Sequence, residues 1–141
     1  MSDQALQSIR MTRLLLITLL LLSSGPAYAE WVAVVSGSDE EGSTVYMDPD
    51  TFRRNGDLVK RWHLYDYKTA QTTTLGTFFS FKVLNQYHCT EERARRLTST
   101  FFSGNMGTGK VLFTNADEGK WEPVAPESVG QVLRKVACNK Q

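Results

Sequence analysis

The sequence predicts an α+β domain, an antiparallel β-sheet of about six strands with one C-terminal amphipathic helix packed on it. Two long segments, Leu58 to Tyr67 and Thr77 to Cys89, alternate apolar and polar residues, the period of half-buried strands. Val129, Val132, Leu133 and Val136 recur instead at helical spacing, behind Ser128 and Gln131, which make a capping box. Asn55-Gly56, just before the first long segment, is the strongest two-residue hairpin signal a sequence carries.

The valine-rich run Glu30 to Ser36 suits a first strand, and Gly37 to Gly42 with its acidic residues suits a solvated turn. Ser43 to Met47 is a short strand ended by Asp48-Pro49-Asp50, where Pro49 removes a backbone donor. Thr51 to Arg54 is expected to pair back, through Asn55-Gly56, onto the strand beginning at Leu58. In that strand Leu58, Trp62 and Leu64 share one face and Arg61, His63, Tyr65 and Tyr67 the other, so Trp62 and Leu64 are expected in the core. Lys68 to Gly76 is polar and threonine-rich and reads as a mobile connector. From Thr77 to Cys89, Phe79, Phe81, Val83, Tyr87 and Cys89 share a face opposite Ser80, Lys82, Gln86 and His88. Thr90 to Leu97 contains good helix formers, but the β-prone continuation Thr98 to Phe102 favours a strand throughout. Lys110 to Thr114 is a further short strand. In the C-terminal helix Cys138 sits off the centre of the apolar stripe, so a bridge from it is expected to need a frayed last turn.

Ahead of all this, Arg10 and Arg13 precede an apolar run from Leu14 to Leu22, followed by Ser23 to Pro26 and then Ala27-Tyr28-Ala29. These are the basic, apolar and small-residue regions of a secretory signal peptide over residues 1–29, with cleavage between Ala29 and Glu30. Met11 offers an alternative start to Met1. Leu14 to Leu22 is under half of the ~20 residues a membrane-spanning helix needs, so no permanent anchor is expected after cleavage. Glu30 and Trp31 stand where a lipoprotein carries its acylated cysteine. The expected location is therefore the periplasm or the exterior, without a lipid anchor.

Residues 30–141 are enough for one domain. Removing Arg10, Arg13 and Asp3 from the 16 basic and 15 acidic side chains leaves the two classes equal. A balanced chain carries no general signal for nucleic acid or for a membrane surface. The two cysteines, Cys89 and Cys138, in an oxidising compartment read as one bridge, two buried thiols being the alternative. Closing that loop would contribute about 4 kcal/mol in the chain-entropy picture.

Catalytic signals are weak. Gly104, Gly109 and Lys110 have the spacing of a phosphate-binding loop, but Val111 replaces the hydroxyl that binds Mg²⁺ and the sequence continues as a strand where a helix must start. The segment reads as a hairpin loop with Gly104, Gly107 and Gly109 at positive φ. His63 and His88 are too few for a catalytic zinc, which takes three protein ligands, and both are expected on the sheet face away from the core. Ser80 and Ser99 lie inside strands, and adjacent carboxylates at Glu40-Glu41 and Glu91-Glu92 point to opposite sides of an extended chain. No enzyme activity, metal or cofactor is expected. The more informative feature is basic: Arg93, Arg95 and Arg96, with Lys82 on the neighbouring strand and Lys60 and Arg61 beyond, form a candidate patch for a protein or polyanionic partner.

The order of short motifs is itself distinctive: Trp31 in the first strand, V-Y-M-D-P-D-T at 45–51, R-R-N-G-D at 53–57 and W-H-L-Y-D-Y-K at 62–68. C-T-E-E-R at 89–93, S-G-N-M-G-T-G at 103–109, W-E-P-V-A-P-E-S at 121–128 and Cys138 follow. In this order the chain resembles the surface-adhesin protein E family of Gram-negative bacteria over its whole exported part. The resemblance implies an antiparallel sheet with a C-terminal helix, a structural disulfide between Cys89 and Cys138, and an exported non-enzymatic binding protein that can act as a homodimer. It also implies a lipid-anchored surface form, from which this sequence departs by lacking the anchoring cysteine. A soluble periplasmic structural protein acting as a homodimer is the alternative expectation.

Overall fold

The computed structural model describes residues 3–22, 30–37 and 42–139. The expected cleavage position at Ala29 and the pair Glu40-Glu41 lie outside the described residues. An N-terminal helix, α1 (Asp3–Leu22), carries the apolar run. No helix among the described residues is long and apolar enough to cross a membrane.

The domain is one antiparallel sheet. Its strands are β1 (Val32–Ser36), β2 (Ser43–Met47), β3 (Arg53–Asn55), β4 (Leu58–Thr73), β5 (Gly76–His88), β6 (Arg93–Phe102), β7 (Val111–Asn115) and β8 (Glu122–Pro123). The order across the sheet is β1-β2-β4-β5-β6-β7, with β3 on β4 and β8 on β6. Among the described residues the sheet has 8 strands, slightly more than expected, two of them, β3 and β8, being short and paired to the ends of long strands. β3 is the partner that Asn55-Gly56 predicts: Arg53 faces Lys60 and Asn55 faces Leu58 across the turn, and Gly56 takes φ 59°. The second helix, α2 (Val129–Asn139), lies over β1, β4 and β5.

The long hairpin differs from expectation at its tip. β4 and β5 stay paired out to Thr73 and Gly76, so the segment 68–76 is largely strand rather than a mobile connector. β-branched threonines favour extended backbone whatever their polarity, and here they also bond: Thr72 and Thr77 hydroxyls lie 3.3 Å apart, and the Thr73 hydroxyl donates to the Gly76 carbonyl. The register slips between Asp66 and Gln71. That slip moves Phe78, rather than Phe79, into the buried set.

The core lies between α2 and the sheet, where Val45, Val59, Tyr87, Leu133 and Ala137 form a buried cluster. Trp62 is only half-buried, whereas Val59, Arg61 and His63 on the opposite face of β4 are fully buried. Leu64 is buried as expected. Burial along β4 does alternate, with Val59, Arg61 and His63 buried and Lys60 exposed, but in the opposite phase to the expected one, because the buried face carries polar side chains and the other face carries Leu58, Trp62 and Leu64.

Ser128 caps α2, its hydroxyl accepting from the Gln131 backbone N–H at 3.1 Å, worth about 1 kcal/mol. The Gln131 side chain reaches back to accept from the Glu127 N–H at 2.7 Å. The buried stripe is rotated from the expected one: Leu133, Arg134 and Ala137 face inward and Val132 is 42% exposed. This rotation brings Cys138 to the sheet without fraying, and the helix continues to Asn139. Cys89 and Cys138 are bridged, closing a separation of 49 residues and fastening α2 to the end of β5. Around the bridge, Arg134 donates to the Cys89 carbonyl and pairs with Glu92 at 2.9 Å, and Arg54 donates to the Cys138 carbonyl.

Beyond the helix the same sheet face carries a row of rings, one from each of four adjacent strands. Tyr65 stacks on Phe81 with centroids 4.6 Å apart, Phe81 on Phe101 at 5.0 Å, and Phe113 follows at 6.2 Å. The four are cross-strand partners, so register alone aligns them.

Candidate binding face

The face of the sheet away from α2 is assembled by register. Lys60, Gln86 and Arg95 lie side by side across β4, β5 and β6; Leu58, His88 and Arg93 form the next row on one side, and Trp62, Leu84 and Thr98 the next on the other. Lys82 lies beyond, between Leu64 and Thr100. Four of the expected cations, Lys60, Lys82, Arg93 and Arg95, therefore do share a face.

Arg96 and Arg61 do not. Arg96, next to Arg95 in regular strand, points to the helix side of the sheet in a row with Arg61, and a one-residue irregularity at Leu97 then lets Leu84 face Thr98 while Asn85 faces Arg96. Such a bulge inverts the side-chain parity of everything past it. Arg61 is fully buried: its guanidinium donates to the carbonyls of Asp48 and Pro49 at 3.0 and 3.2 Å and lies 4.6 Å from the Phe52 ring centroid. It fastens the turn after β2 and is inaccessible to a partner.

Two cations of the open face, Arg95 and Lys82, are held by aromatic rings. Arg95 lies 4.8 Å from the Trp121 ring centroid, donates to Gln86 Oε1 at 2.9 Å and pairs with Glu118 at 3.2 Å. Lys82 Nζ stands 5.7 Å from the Trp31 centroid and 5.3 Å from that of Phe102. Each such contact is worth about 0.5–1 kcal/mol at an exposed site, and it also fixes where the charge sits. Lys60 and Arg93 are exposed. Three half-buried tryptophans, Trp31, Trp62 and Trp121, thus interleave with four cations. Trp62 is thus not the core residue that its apolarity predicts, and strand parity is the signal for its face, since it alternates in phase with Lys60.

The glycine-rich stretch closes one end of this face. It is the loop between β6 and β7, with the strand resuming at Val111 in place of a helix. Met106, Gly107 and Gly109 adopt positive φ (54°, 70° and 78°), whereas Gly104 is extended at φ −114°. The constraint on Gly104 is spatial: a Cβ there would meet Thr108 Oγ1 at 2.6 Å. The loop folds back on the long hairpin. Asp66 Oδ1 accepts from the Met106 N–H at 2.7 Å, and Ser80 Oγ donates to the Gly104 carbonyl and accepts from the Gly107 N–H. Ser80 is thereby a structural residue.

The histidines are separated, and His63 is not on the face expected for it. It lies on the helix side of the sheet, on the same face of β4 as Val59, fully buried, with Nε2 2.8 Å from the Tyr87 hydroxyl. Burial first, and the charge of Arg61 second, push its pKa down to about 4, so it is neutral at ordinary pH. His88 is on the open face, where its Nδ1 accepts from the Glu91 backbone N–H and its ring meets Trp121 edge-on. Among the described residues no group of three His, Cys, Asp or Glu side chains is placed to hold a metal ion.

A family model described as Surface-adhesin protein E matches residues 31–139. No curated protein sequence matches the chain. The fold is similar to solved structures of Haemophilus influenzae protein E. One, titled simply the structure of that protein, is 10% identical with a TM-score of 0.56, covering 82% of this chain and 89% of its own. Its selenomethionine form is 9% identical with a TM-score of 0.57, over 79% and 88% of the two chains. A structure of protein E from the non-typeable organism is 10% identical with a TM-score of 0.55, over 79% and 77%.

Proposed function

The chain belongs to the surface-adhesin protein E family, and from that premise we propose that it is an exported, non-enzymatic binding module that engages a protein or polyanionic partner through the open face of its sheet. The observation that carries this reading is the interleaving of Lys60, Lys82, Arg93 and Arg95 with Trp31, Trp62 and Trp121. Tryptophan and arginine are the residues that most often dominate binding energy at interfaces. Cations pre-positioned on rings lose little freedom when a partner arrives. Export is supported by Arg10, Arg13, the apolar run and the small residues before Glu30.

The test is retention of the oxidised protein on immobilised heparin and on extracellular-matrix and envelope fractions. Reversing Lys60 and Arg93 to Glu weakens binding by at least about tenfold while thermal stability is unchanged. Equal retention of the reversed protein removes the reading. Exposed edges favour a second reading, a periplasmic homodimer: Val32 on β1 is 48% exposed and Val111 on β7 is 59% exposed. Cell fractionation that finds the protein only in the periplasm, with a dimer by sedimentation, selects it.

A further inference from the structure

On the helix side of the sheet two cavities adjoin at Arg96. One, of about 160 Å³, is apolar: Phe78, Phe101 and Phe113 line it with Leu75 from the hairpin tip and Leu112 from β7. The other, of about 320 Å³, is polar, lined by Tyr65, Asn85 and Lys120 with Gly130 at the start of α2. Arg96 lines both. We infer that the pair is a binding site for a medium-chain acyl anion, its carboxylate at Arg96 and Lys120 and its chain in the aromatic cavity.

Charge complementarity selects this occupant. Arg96 and Lys120 are in no ion pair among the described residues, whereas the neighbouring Arg95, whose side chain turns to the open face, is paired with Glu118. Glu122 supplies one opposing carboxylate at the rim. An arginine fork matches a carboxylate bidentately. The N–H groups of the first turn of α2, where Gly130 lies, add a partial positive charge. Size selects the tail: a cavity of ~150 Å³ accommodates a benzene-sized apolar group, so the chain is short. Leu75 and Leu112, 61% and 39% exposed, stand at its mouth, where a bound chain would cover them. The stacked row from Tyr65 through Phe81 to Phe101 makes the floor rigid. This site lies on the opposite side of the sheet from the partner-binding face and does not depend on it.

The experiment is calorimetric titration of the oxidised full chain with butyrate, hexanoate, octanoate and dodecanoate. One-to-one binding is expected, strengthening about three- to fourfold per added methylene up to octanoate and then levelling off as the cavity fills. Octyltrimethylammonium, with the same tail and opposite charge, is expected to bind at least about tenfold more weakly than octanoate. Arg96→Glu is expected to lose octanoate binding by the same factor, with Arg96→Gln intermediate and Leu112→Asp also defective. Backbone amide shifts on adding octanoate are expected at Leu112, Phe113 and Gly130. Absence of octanoate binding, indifference to head-group charge, equal binding by Arg96→Glu, or shifts confined to other residues each overturns the assignment. Heparin retention by Arg96→Glu is expected to be unchanged, which separates this site from the open face.

Discussion

Arg61 and Arg95 present the same chemistry in opposite settings. Each guanidinium lies within 5 Å of an aromatic centroid, at 4.6 Å over Phe52 for Arg61 and 4.8 Å over Trp121 for Arg95. Arg61 is sealed beneath the turn after β2 and donates to two backbone carbonyls; Arg95 stands on the open face and bonds to the side chains of Gln86 and Glu118. Cation and ring together therefore do not mark a binding residue. What separates the two is the side of the sheet, and with it whether the donors are spent on the protein's own backbone or on side chains that a partner can displace.

The largest effect that tests this division comes from the device that fastens the helix to one side. Cys89→Ser with Cys138→Ser releases α2 and is expected to cost about 2–5 kcal/mol of stability by denaturant unfolding. The open face has no share in that bridge. At temperatures where the variant is still folded, its heparin retention is expected to match that of the parent.

His63 sharpens the same contrast through pH. Its folded pKa of about 4 lies below the ordinary 6.5, so protonation favours the unfolded chain. The stability associated with its neutral form is complete above pH ~6.5 and is lost as pH falls toward 4, up to about 3 kcal/mol in all. Unfolding free energies measured across that window should show this slope in the parent and lose most of it in His63→Phe. A parent and a variant with equal slopes would mean that another group dominates acid sensitivity.

How much of this was legible follows from where strand parity survives. The hairpin at Asn55-Gly56, the capped helix, the long β4–β5 pair and the cysteine pair follow from local signals, and the structure has them. Lys60, Lys82, Arg93 and Arg95 follow from alternation along uninterrupted stretches of strand. Arg96 follows from the same alternation, since it directly succeeds Arg95 and must face the other way; Phe78 was lost at the slip near Asp66, because an irregular residue leaves no local mark. Arg61 and His63 were misplaced for another reason: the buried face of β4 carries them while Leu58, Trp62 and Leu64 lie on the open face, so apolarity points to the wrong phase, and a buried arginine is allowed only by carbonyl acceptors contributed from a distant turn. The rotation of α2 toward Ala137 and away from Val132 depends on the disulfide and on Arg134, which helical periodicity does not weigh.

Exchanging the two arginines for alanine is the direct comparison. Arg61→Ala strips donors from the buried carbonyls of Asp48 and Pro49 and leaves a void beside Phe52, with an expected cost of about 2–4 kcal/mol. Its partner affinity per folded molecule should be unchanged. Arg95→Ala is expected to cost under about 1 kcal/mol of stability, since its ion pair with Glu118 is exposed, but to weaken heparin retention several-fold. Equal stability losses for the two would erase the distinction between the faces.

The smallest expected effect concerns how Arg95 is held. Trp121 supplies the ring beneath the guanidinium, and His88 meets the same ring edge-on at 6.2 Å. A double-mutant cycle with Arg95→Ala and Trp121→Leu should give a coupling of about 0.5–1 kcal/mol in stability, the range of an exposed cation–π contact. The binding consequence is more discriminating than the stability one. With Trp121→Leu the charge remains but its position does not, so retention should fall while its salt dependence stays that of the parent; with Arg95→Ala the salt dependence itself should become shallower. If Trp121→Leu leaves retention untouched, the ring is packing for the β6–β8 end of the sheet and the open face binds through diffuse charge alone. If both variants fall, and only the arginine changes the salt dependence, placement of charge by tryptophan is what sets this face apart from an ordinary solvated surface.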